Sequence, residues 1–217
     1  MVAAANLLKE DHLLREDFIS VQDRIISSAI DLISEAGLGS LSFDNISMRI
    51  NLSGAMIYKY YSDTNELLVD VVKTYFKFDH GIFRTISSKE GTYLEKINMY
   101  VDAYSSYYES YYTLSTLALQ YEELLHNTYT RDIVLEGIKN RMQFLKELFQ
   151  GAIDNHEIAE GFSSSELANA LSGIAMMFKL DRRVNYRKGQ YKAQVMGYIS
   201  RWIDFLKVEG NDEGINS

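Results

Sequence analysis

The sequence has few side chains suited to catalysis or metal binding, and their spacing does not form a site. There is no cysteine, and the four histidines, His12, His80, His126 and His156, lie far apart. Glu122 and His126 are four residues apart, which suits one edge of a metal site on a helix, but two ligands do not hold a zinc ion. No P-loop, G-x-S-x-G or H-E-x-x-H motif occurs. We therefore predict no catalytic residue, no metal site and no cofactor.

Tyrosine is concentrated between residues 93 and 126, where eight occur. A tyrosine offers an apolar ring and a polar tip, which suits the wall of a ligand cavity. Aromatic faces beside carboxylates favour an aromatic or cationic ligand. The alternative is that these tyrosines belong to the core and to helix interfaces. The candidate ligand-binding residues are Tyr100, Tyr104, Tyr107, Tyr108, Tyr111, Tyr121, Glu122, Met142 and Phe178.

The elements that position these residues are helices, because apolar residues recur at steps of three and four along most of the sequence. There is no proline, which permits long helices, and no strand-like alternation competes. The fold class is therefore all-α, with about nine helices. Eight are predicted at about 17–36, 43–50, 54–61, 64–78, 93–111, 113–126, 164–182 and 188–208. A further long helix begins at Thr130 and includes Ile153.

Residues 20–73 predict a helix-turn-helix. Gly37 ends the first helix, and Ser42 and Ser53 are suited to cap two short helices. Asn51 lies between those two helices and tolerates the positive φ of a tight turn. Packed on the first helix, the two short helices form a three-helix unit with one helix projecting, the geometry that fits the major groove.

The stretch from 24 to 68 resembles the N-terminal domain of TetR-family regulators. The resemblance rests on Gly37, on Ser42 before Ile46-Ser47, on the turn Asn51-Leu52-Ser53, on Ile57-Tyr58-Lys59-Tyr60-Tyr61 and on Asp63-Thr64-Asn65-Glu66-Leu67-Leu68. It implies contacts with phosphates from Ser42, Ser53, Tyr58 and Lys59, and a close approach to base edges at Gly54 and Ala55. With the basic Arg49, the candidate DNA-binding residues are Ser42, Arg49, Ser53, Gly54, Ala55, Tyr58 and Lys59.

The charge of the chain opposes strong DNA binding. The formal net charge is −8 overall. Residues 1–73 contain six Lys or Arg and eleven Asp or Glu, a net charge of −5, although segment 45–62 has Arg49 and Lys59 and no acid. The family has a lysine after the recognition helix, and this sequence has Thr64 at that position. We therefore expect modest affinity and a shallow dependence on salt.

The resemblance implies that the last two helices form the interface of a homodimer that reads a near-palindromic operator in double-stranded DNA. The alternative is that their apolar residues are buried within one subunit. The candidate interface residues are Leu167, Leu171, Ile174, Phe178, Tyr198, Ile199, Trp202 and Phe205. The predicted domains are a flexible arm (1–16), a helix-turn-helix domain (17–73), a ligand-binding and dimerisation domain (74–208) and a flexible tail (209–217).

These observations predict a cytoplasmic transcription regulator, a repressor modulated by a small-molecule ligand, with no membrane partner. Two other classes remain open. One is a TetR-like fold that works through protein–protein interaction with weak or no operator binding. The other is a helical enzyme. Retardation of upstream DNA separates the first from the leading hypothesis, and turnover identifies the second.

Overall fold

The computed structural model describes residues 20–185 and 190–207, and these are almost entirely helical. The predicted all-α class is confirmed: apart from one isolated bridge between Ile158 and Lys207, the described part of the chain has no β-structure. None of its helices is long and apolar enough to cross a bilayer. The arm at 1–16 and the tail at 209–217 lie outside the described residues. The chain forms two compact units, with the boundary between Lys73 and Thr74.

The first unit contains α1 (Val21–Ala36), a 3-10 turn (Leu38–Ser40), α2 (Phe43–Ile50), α3 (Gly54–Ile57) and most of α4 (Thr64–Phe76). Ser20, Ser42 and Ser53 each cap the helix that follows, accepting a hydrogen bond from a backbone N–H three residues on. Fully buried apolar side chains fill its centre: Ile25, Ala29, Ile46, Ile57, Leu67 and Val71. Each of the larger ones contributes about 1.5–3 kcal/mol on burial.

The turn between α2 and α3 has the conformation that the sequence predicts. Asn51 is left-handed, with φ 52° and ψ 45°, and its N–H donates to the Ser47 carbonyl. The Ser47 hydroxyl in turn donates to the Leu52 carbonyl. Gly37 ends α1 with φ 81°, a value that L side chains rarely adopt. Both residues stop a helix where the next must change direction.

The second unit continues from the end of α4 with α5 (Asp79–Ser87), α6 (Tyr93–Ser110), α7 (Tyr112–Thr116), a 3-10 turn (Leu117–Gln120), α8 (Tyr121–His126), α9 (Arg131–Asp154), α10 (Ser164–Val184) and α11 (Tyr191–Leu206). The helix predicted over 113–126 is divided into three pieces. The hydroxyls of Ser115 and Thr116 bond to carbonyls three residues earlier and so compete with a regular helix. With α5, this division raises the number of α-helices in the described residues to eleven.

Four long helices surround the centre of this unit: α9 packs against both α6 and α10, and α11 packs against α6. Capping boxes at Thr92 with Glu95 and at Ser163 with Glu166 begin α6 and α10, as their spacing predicts. The carboxylate of Glu157 also accepts hydrogen bonds from the backbone N–H groups of Tyr93 and Leu94, at 2.9 and 2.8 Å. That carboxylate satisfies free donors at the start of α6 and fixes its position.

Candidate functional site

The segment from Ser53 to Tyr61 projects from the first unit. It is α-helical over Gly54–Ile57 and continues as turns to Tyr61, so the helix predicted over 54–61 is shorter than expected. Ile57 is fully buried and anchors the segment in the core of the unit, whereas Ala55, Tyr58 and Lys59 are exposed. Nothing lies within 4 Å of a Cβ placed on Gly54. The outer face is therefore open to a large partner.

Two tyrosines fix the end of this segment. Tyr58 is 63% exposed, but its ring packs edge-on against Phe43, with the centroids 4.9 Å apart. Tyr61 is buried; its hydroxyl donates to Asp70 at 3.2 Å and accepts from Gln22 at the same distance. Burial raises the pKa of Tyr61 to about 12, so the anchoring residue is neutral. The Tyr58 hydroxyl is thereby held on the exposed side.

Arg49 is occupied by acids of α1. Its guanidinium makes two hydrogen bonds to the Glu35 carboxylate and lies 3.8 Å from Asp31. The hydrogen bonds from Arg49 hold the pKa of Glu35 below its usual value. This placement does not support the predicted DNA contact of Arg49, since its charge is already matched. Within segment 45–62, Lys59 is exposed and makes no ion pair with an acid of the described residues.

Ser42 and Ser53 use their hydroxyls as caps. The Ser42 hydroxyl accepts from the Asn45 N–H at 3.1 Å and the Ser53 hydroxyl from the Met56 N–H at 3.3 Å. Each hydroxyl retains its own proton as a donor. The predicted phosphate contacts of these two residues stay predictions.

The second unit encloses a cavity of about 140 Å³. It lies among α6, α8, α9, α10 and α11, and its wall is mainly apolar and aromatic. Of the candidate ligand residues, five line it: Tyr100, Tyr104, Tyr108, Tyr121 and Met142.

Four candidate ligand residues lie elsewhere. Tyr107 borders a separate, open depression with Phe78, and Tyr111 is 56% exposed. Glu122 is exposed and pairs with His126 at 3.6 Å, while Phe178 packs against Tyr198. One residue along a helix turns the side chain by about 100°, which is why Tyr107 leaves the cavity that Tyr104 and Tyr108 face.

A buried ion pair stands beside the cavity. The Arg141 Nε and Nη2 atoms donate to the two oxygens of Asp79, at 2.7 and 2.9 Å. The Tyr104 hydroxyl donates to the same carboxylate at 2.6 Å. The guanidinium also lies 4.7 Å from the ring centroids of Tyr75 and Phe76. Such a pair is stable in the interior because its hydrogen-bonding groups are satisfied.

Tyr75 joins this cluster from the last turn of α4. Its hydroxyl oxygen accepts from the hydroxyls of Tyr108 and Tyr121, at 3.0 and 3.1 Å, and from Arg141 at 3.1 Å. Burial by itself raises the pKa of Tyr75, but the charges of Lys179 and Arg141 and the hydroxyl donors outweigh it and lower the pKa to about 7. The surroundings of Tyr75 are therefore electropositive.

Two further cations are buried on α10. The Lys179 amine lies 4.4 Å from the centroid of the Tyr108 ring, and burial and Arg141 lower its pKa. Arg182 donates to the carbonyls of Tyr108 and Glu109 at the end of α6. The carboxylates predicted beside the tyrosines do not line the cavity, so the expected preference for a cationic ligand is not supported. Four residues of this cluster were not predicted from the sequence: Tyr75, Asp79, Arg141 and Lys179. At 141 and 179 the available signal was a charged residue on an otherwise apolar helix face.

The candidate interface residues divide into two groups. Leu167, Leu171 and Ile199 are buried within the subunit, and the last two line the cavity. Tyr198 and Phe205 are 48% and 80% exposed, while the half-buried Trp202 lies edge-on to Phe149. Ile174 and Phe178 are half-buried. Three exposed apolar residues of α10 were not foreseen: Met177, Leu180 and Val184.

Comparison with known proteins gives one family. The family model described as "Bacterial regulatory proteins, tetR family" matches residues 25–71. Comparison with curated protein sequences gives no significant match.

Solved structures match over most of the chain. The ketosteroid transcriptional regulator KstR2 of Mycobacterium tuberculosis has a TM-score of 0.77 at 11% identity, covering 88% of this chain and 96% of its own. FadR from Bacillus subtilis, solved with stearoyl-CoA, has a TM-score of 0.68 at 20% identity, with coverages of 83% and 96%. A TetR-family regulator from Agrobacterium tumefaciens has 0.71 at 17%, with coverages of 86% and 97%. At these identities the likeness shows the fold.

Proposed function

We propose that the chain is a TetR-family regulator, because the family model matches its N-terminal domain and its fold is that of such regulators. In this role it represses transcription by binding DNA under the control of a small molecule. A homodimer binds a near-palindromic operator through the segment Ser53–Tyr61. A ligand in the cavity of the second unit changes that affinity. This role places the protein in the cytoplasm.

The observation that carries the DNA-binding proposal is the exposed face of segment Ser53–Tyr61. Ile57 anchors the segment from below, and Ala55, Tyr58 and Lys59 point away from the core of the unit. A short helix with a small residue at its front approaches base edges, while a phenol and an amine bind phosphates. The helix-turn-helix geometry supplies this presentation.

The apolar surface of α10 and α11 supports the homodimer. Met177, Val184 and Phe205 are 61%, 72% and 80% exposed. Exposed apolar residues on adjacent helices are typical of an interface between subunits. A two-fold interface presents two reading segments to one duplex, and the operator then has matching half-sites.

The cavity supports regulation by a ligand. It lies among five helices, is mostly apolar and contains a few buried polar groups, the usual composition of a small-molecule site. KstR2 and FadR, which share the fold, are described respectively as a ketosteroid regulator and as a complex with stearoyl-CoA. The FadR complex supports the view that a protein of this fold binds a small molecule.

A mobility-shift titration tests the DNA-binding role. The probe is DNA from upstream of the protein's own coding region, at low salt, with the protein verified as a folded dimer. We expect a retarded band for the native chain and its loss for the double variant Tyr58→Ala with Lys59→Ala. The matched control, Tyr129→Ala with Lys139→Ala, removes an exposed tyrosine and an exposed lysine from the second unit and should leave the band unchanged.

Because Tyr58 and Lys59 are proposed to hold phosphates, the double variant should weaken all sequences about equally. Loss confined to one base pair would contradict the phosphate role. If the native dimer gives no retarded band, the alternative is favoured, in which the fold works through protein–protein interaction. The acidic charge of the first unit is consistent with that alternative.

A further inference from the structure

The buried charges beside the cavity are unequal in number. Among the described residues, three basic side chains, Arg141, Lys179 and Arg182, are buried or nearly so, against one acidic side chain, Asp79. Burying a charge is costly unless a counter-charge or hydrogen bonds offset it. The three cations differ in the groups that offset their charge.

Arg141 has no free donor. Its five N–H groups are directed to the two oxygens of Asp79, to the hydroxyls of Tyr75 and Tyr121, and to the Tyr75 carbonyl. Its charge is matched by the Asp79 carboxylate at 2.7 Å. Arg141 is consequently a structural part of the cavity wall.

Arg182 is held by carbonyls and aromatic rings, although its Nε has no hydrogen-bond partner among the described residues. Two of its nitrogens donate to the last carbonyls of α6, where a cation is favoured by the helix dipole. Its guanidinium lies 4.8 and 4.9 Å from the ring centroids of Tyr112 and Tyr191. It does not line the cavity.

Lys179 differs from both, because it lines the cavity and has no carboxylate beside it. It is 9% exposed and lines the cavity, and no described carboxylate lies within ion-pair distance of its amine. The groups next to the amine are the face of the Tyr108 ring and the Tyr75 hydroxyl. An amine has three donors, so Lys179 retains hydrogen-bonding capacity beyond the Tyr75 hydroxyl, and no carboxylate of the described residues pairs with it.

The rest of the wall limits the body of the ligand. The cavity, at about 140 Å³, is close to the roughly 150 Å³ that holds one benzene molecule. Side chains such as Leu145, Leu171, Val195 and Ile199 make most of it apolar. The Tyr100 hydroxyl makes no hydrogen bond to the described residues. Because burial raises its pKa, the hydroxyl stays protonated and can donate to a ligand.

From these observations we propose that the cavity binds a small organic carboxylate with an apolar body of about benzene size, whose carboxylate pairs with the Lys179 amine. A carboxylate beside the amine favours the ammonium form, so the ion pair is completed on binding. This inference deepens the proposed function, since it names the chemistry of the ligand that the regulator senses.

The test compares three probes of nearly equal shape on the full-length chain: benzoate, benzamide and benzylamine. They carry a negative, a zero and a positive charge. Calorimetric titration at neutral pH should show benzoate binding at least about tenfold more tightly than benzamide, the factor expected for one charge-assisted hydrogen bond. Benzylamine should not bind. Benzamide or benzylamine binding as tightly as benzoate would overturn the proposal, as would the absence of benzoate binding.

The variant Lys179→Met removes the charge while retaining an extended, apolar side chain. It should lose the preference for benzoate over benzamide, and Lys139→Met, which changes an exposed lysine of α9, should keep it. Retention of the preference by a folded Lys179→Met would exclude the amine as the partner. Should Lys179→Met fail to fold, the three probes on the native chain still decide the charge preference.

The calorimetric result is independent of DNA. Charge-selective binding by a dimer that fails to retard DNA would support the site and contradict the regulator. Retardation of DNA without benzoate binding would support the regulator and contradict the carboxylate site.

Discussion

Asp79 is the one acidic side chain that is buried among the described residues, and Arg141 and Tyr104 surround its carboxylate. The two charges stabilise the unit only together, because either alone leaves an uncompensated charge in the interior. The pair fixes α5 against α9, and Tyr104 adds α6. One carboxylate thus holds three helices at the edge of the cavity.

Replacing Asp79→Asn keeps the shape of the side chain and removes its charge. Arg141 then remains buried without a counter-ion, and we expect the free energy of unfolding to fall by about 3–5 kcal/mol. Urea denaturation followed by circular dichroism measures this loss. The control Asp204→Asn disrupts an exposed pair with Lys207 and should change stability by less than about 1 kcal/mol. Equal effects of the two variants would disprove the role given to Asp79.

At this scale the sequence predicted the tyrosines but not the charges they surround. Tyr104 and Tyr108 follow helical spacing, which is visible in any local window. Arg141 lies on an apolar face of α9, which indicates a buried charge, but its partner Asp79 is 62 positions away. The group that neutralises a buried charge is decided by tertiary neighbours, and no local pattern indicates it.

Helix starts were easier to predict than buried charges, because most of them depend on residues that are close in sequence. The caps at Ser42, Ser53, Thr92 and Ser163 were predicted because cap and partner are three residues apart. The break after Thr116 was not, since hydroxyls that bond back to the main chain occur in regular helices as well. The predicted DNA contact of Arg49 was unsupported for a similar reason: Glu35, its partner, lies on another helix.

Close packing of α9 against the end of α4 depends on Gly137. A Cβ at this position would lie 2.5 Å from the Phe76 ring, which is itself in contact with Arg141. Gly137→Ala should therefore lower the free energy of unfolding by about 1–3 kcal/mol through overpacking. Thermal melting measures the change.

Gly173 provides the matched comparison for that substitution. It lies in α10, and a methyl group added there would have no described neighbour within 4 Å. Gly173→Ala should therefore raise stability by about 0.5–1 kcal/mol through helix propensity. Opposite signs for the two substitutions are expected. A stabilising Gly137→Ala would show that Phe76 moves freely.

For the whole molecule, the sequence predicted a small N-terminal unit followed by a larger one, and the folded chain has two compact units with their boundary between Lys73 and Thr74. It also predicted the helical class, because periodicity is a property of the entire chain. Which apolar residues face another subunit was harder: Leu171 and Phe205 look alike in sequence, yet the first lines the cavity and the second is exposed. Helical periodicity identifies an apolar face but not what covers it.

The scarcity of free cations on the reading segment has a measurable effect. Each phosphate neutralised adds about −0.9 to the slope of log K against log salt. With Arg49 held by α1 and Lys59 exposed, we expect a slope shallower than about −6 for the dimer. A steeper slope would mean that other cations reach the DNA.

Thr64→Lys restores the residue type that the family resemblance implies at that position. It should steepen the slope by about 2 for the dimer, one contact for each subunit. The control Thr128→Lys adds the same charge at an exposed position of the second unit and should leave the slope nearly unchanged.

The pairing of Asp79 with Arg141 also bears on the order in which the chain is made. Translation produces Tyr75 and Asp79 sixty-odd residues before Arg141, and until then the acid is better solvated by water than enclosed by α6. We therefore expect no stable partial form of the second unit in which these tyrosines are packed around the carboxylate. We expect its interior to close only after the middle of α9 has been synthesised.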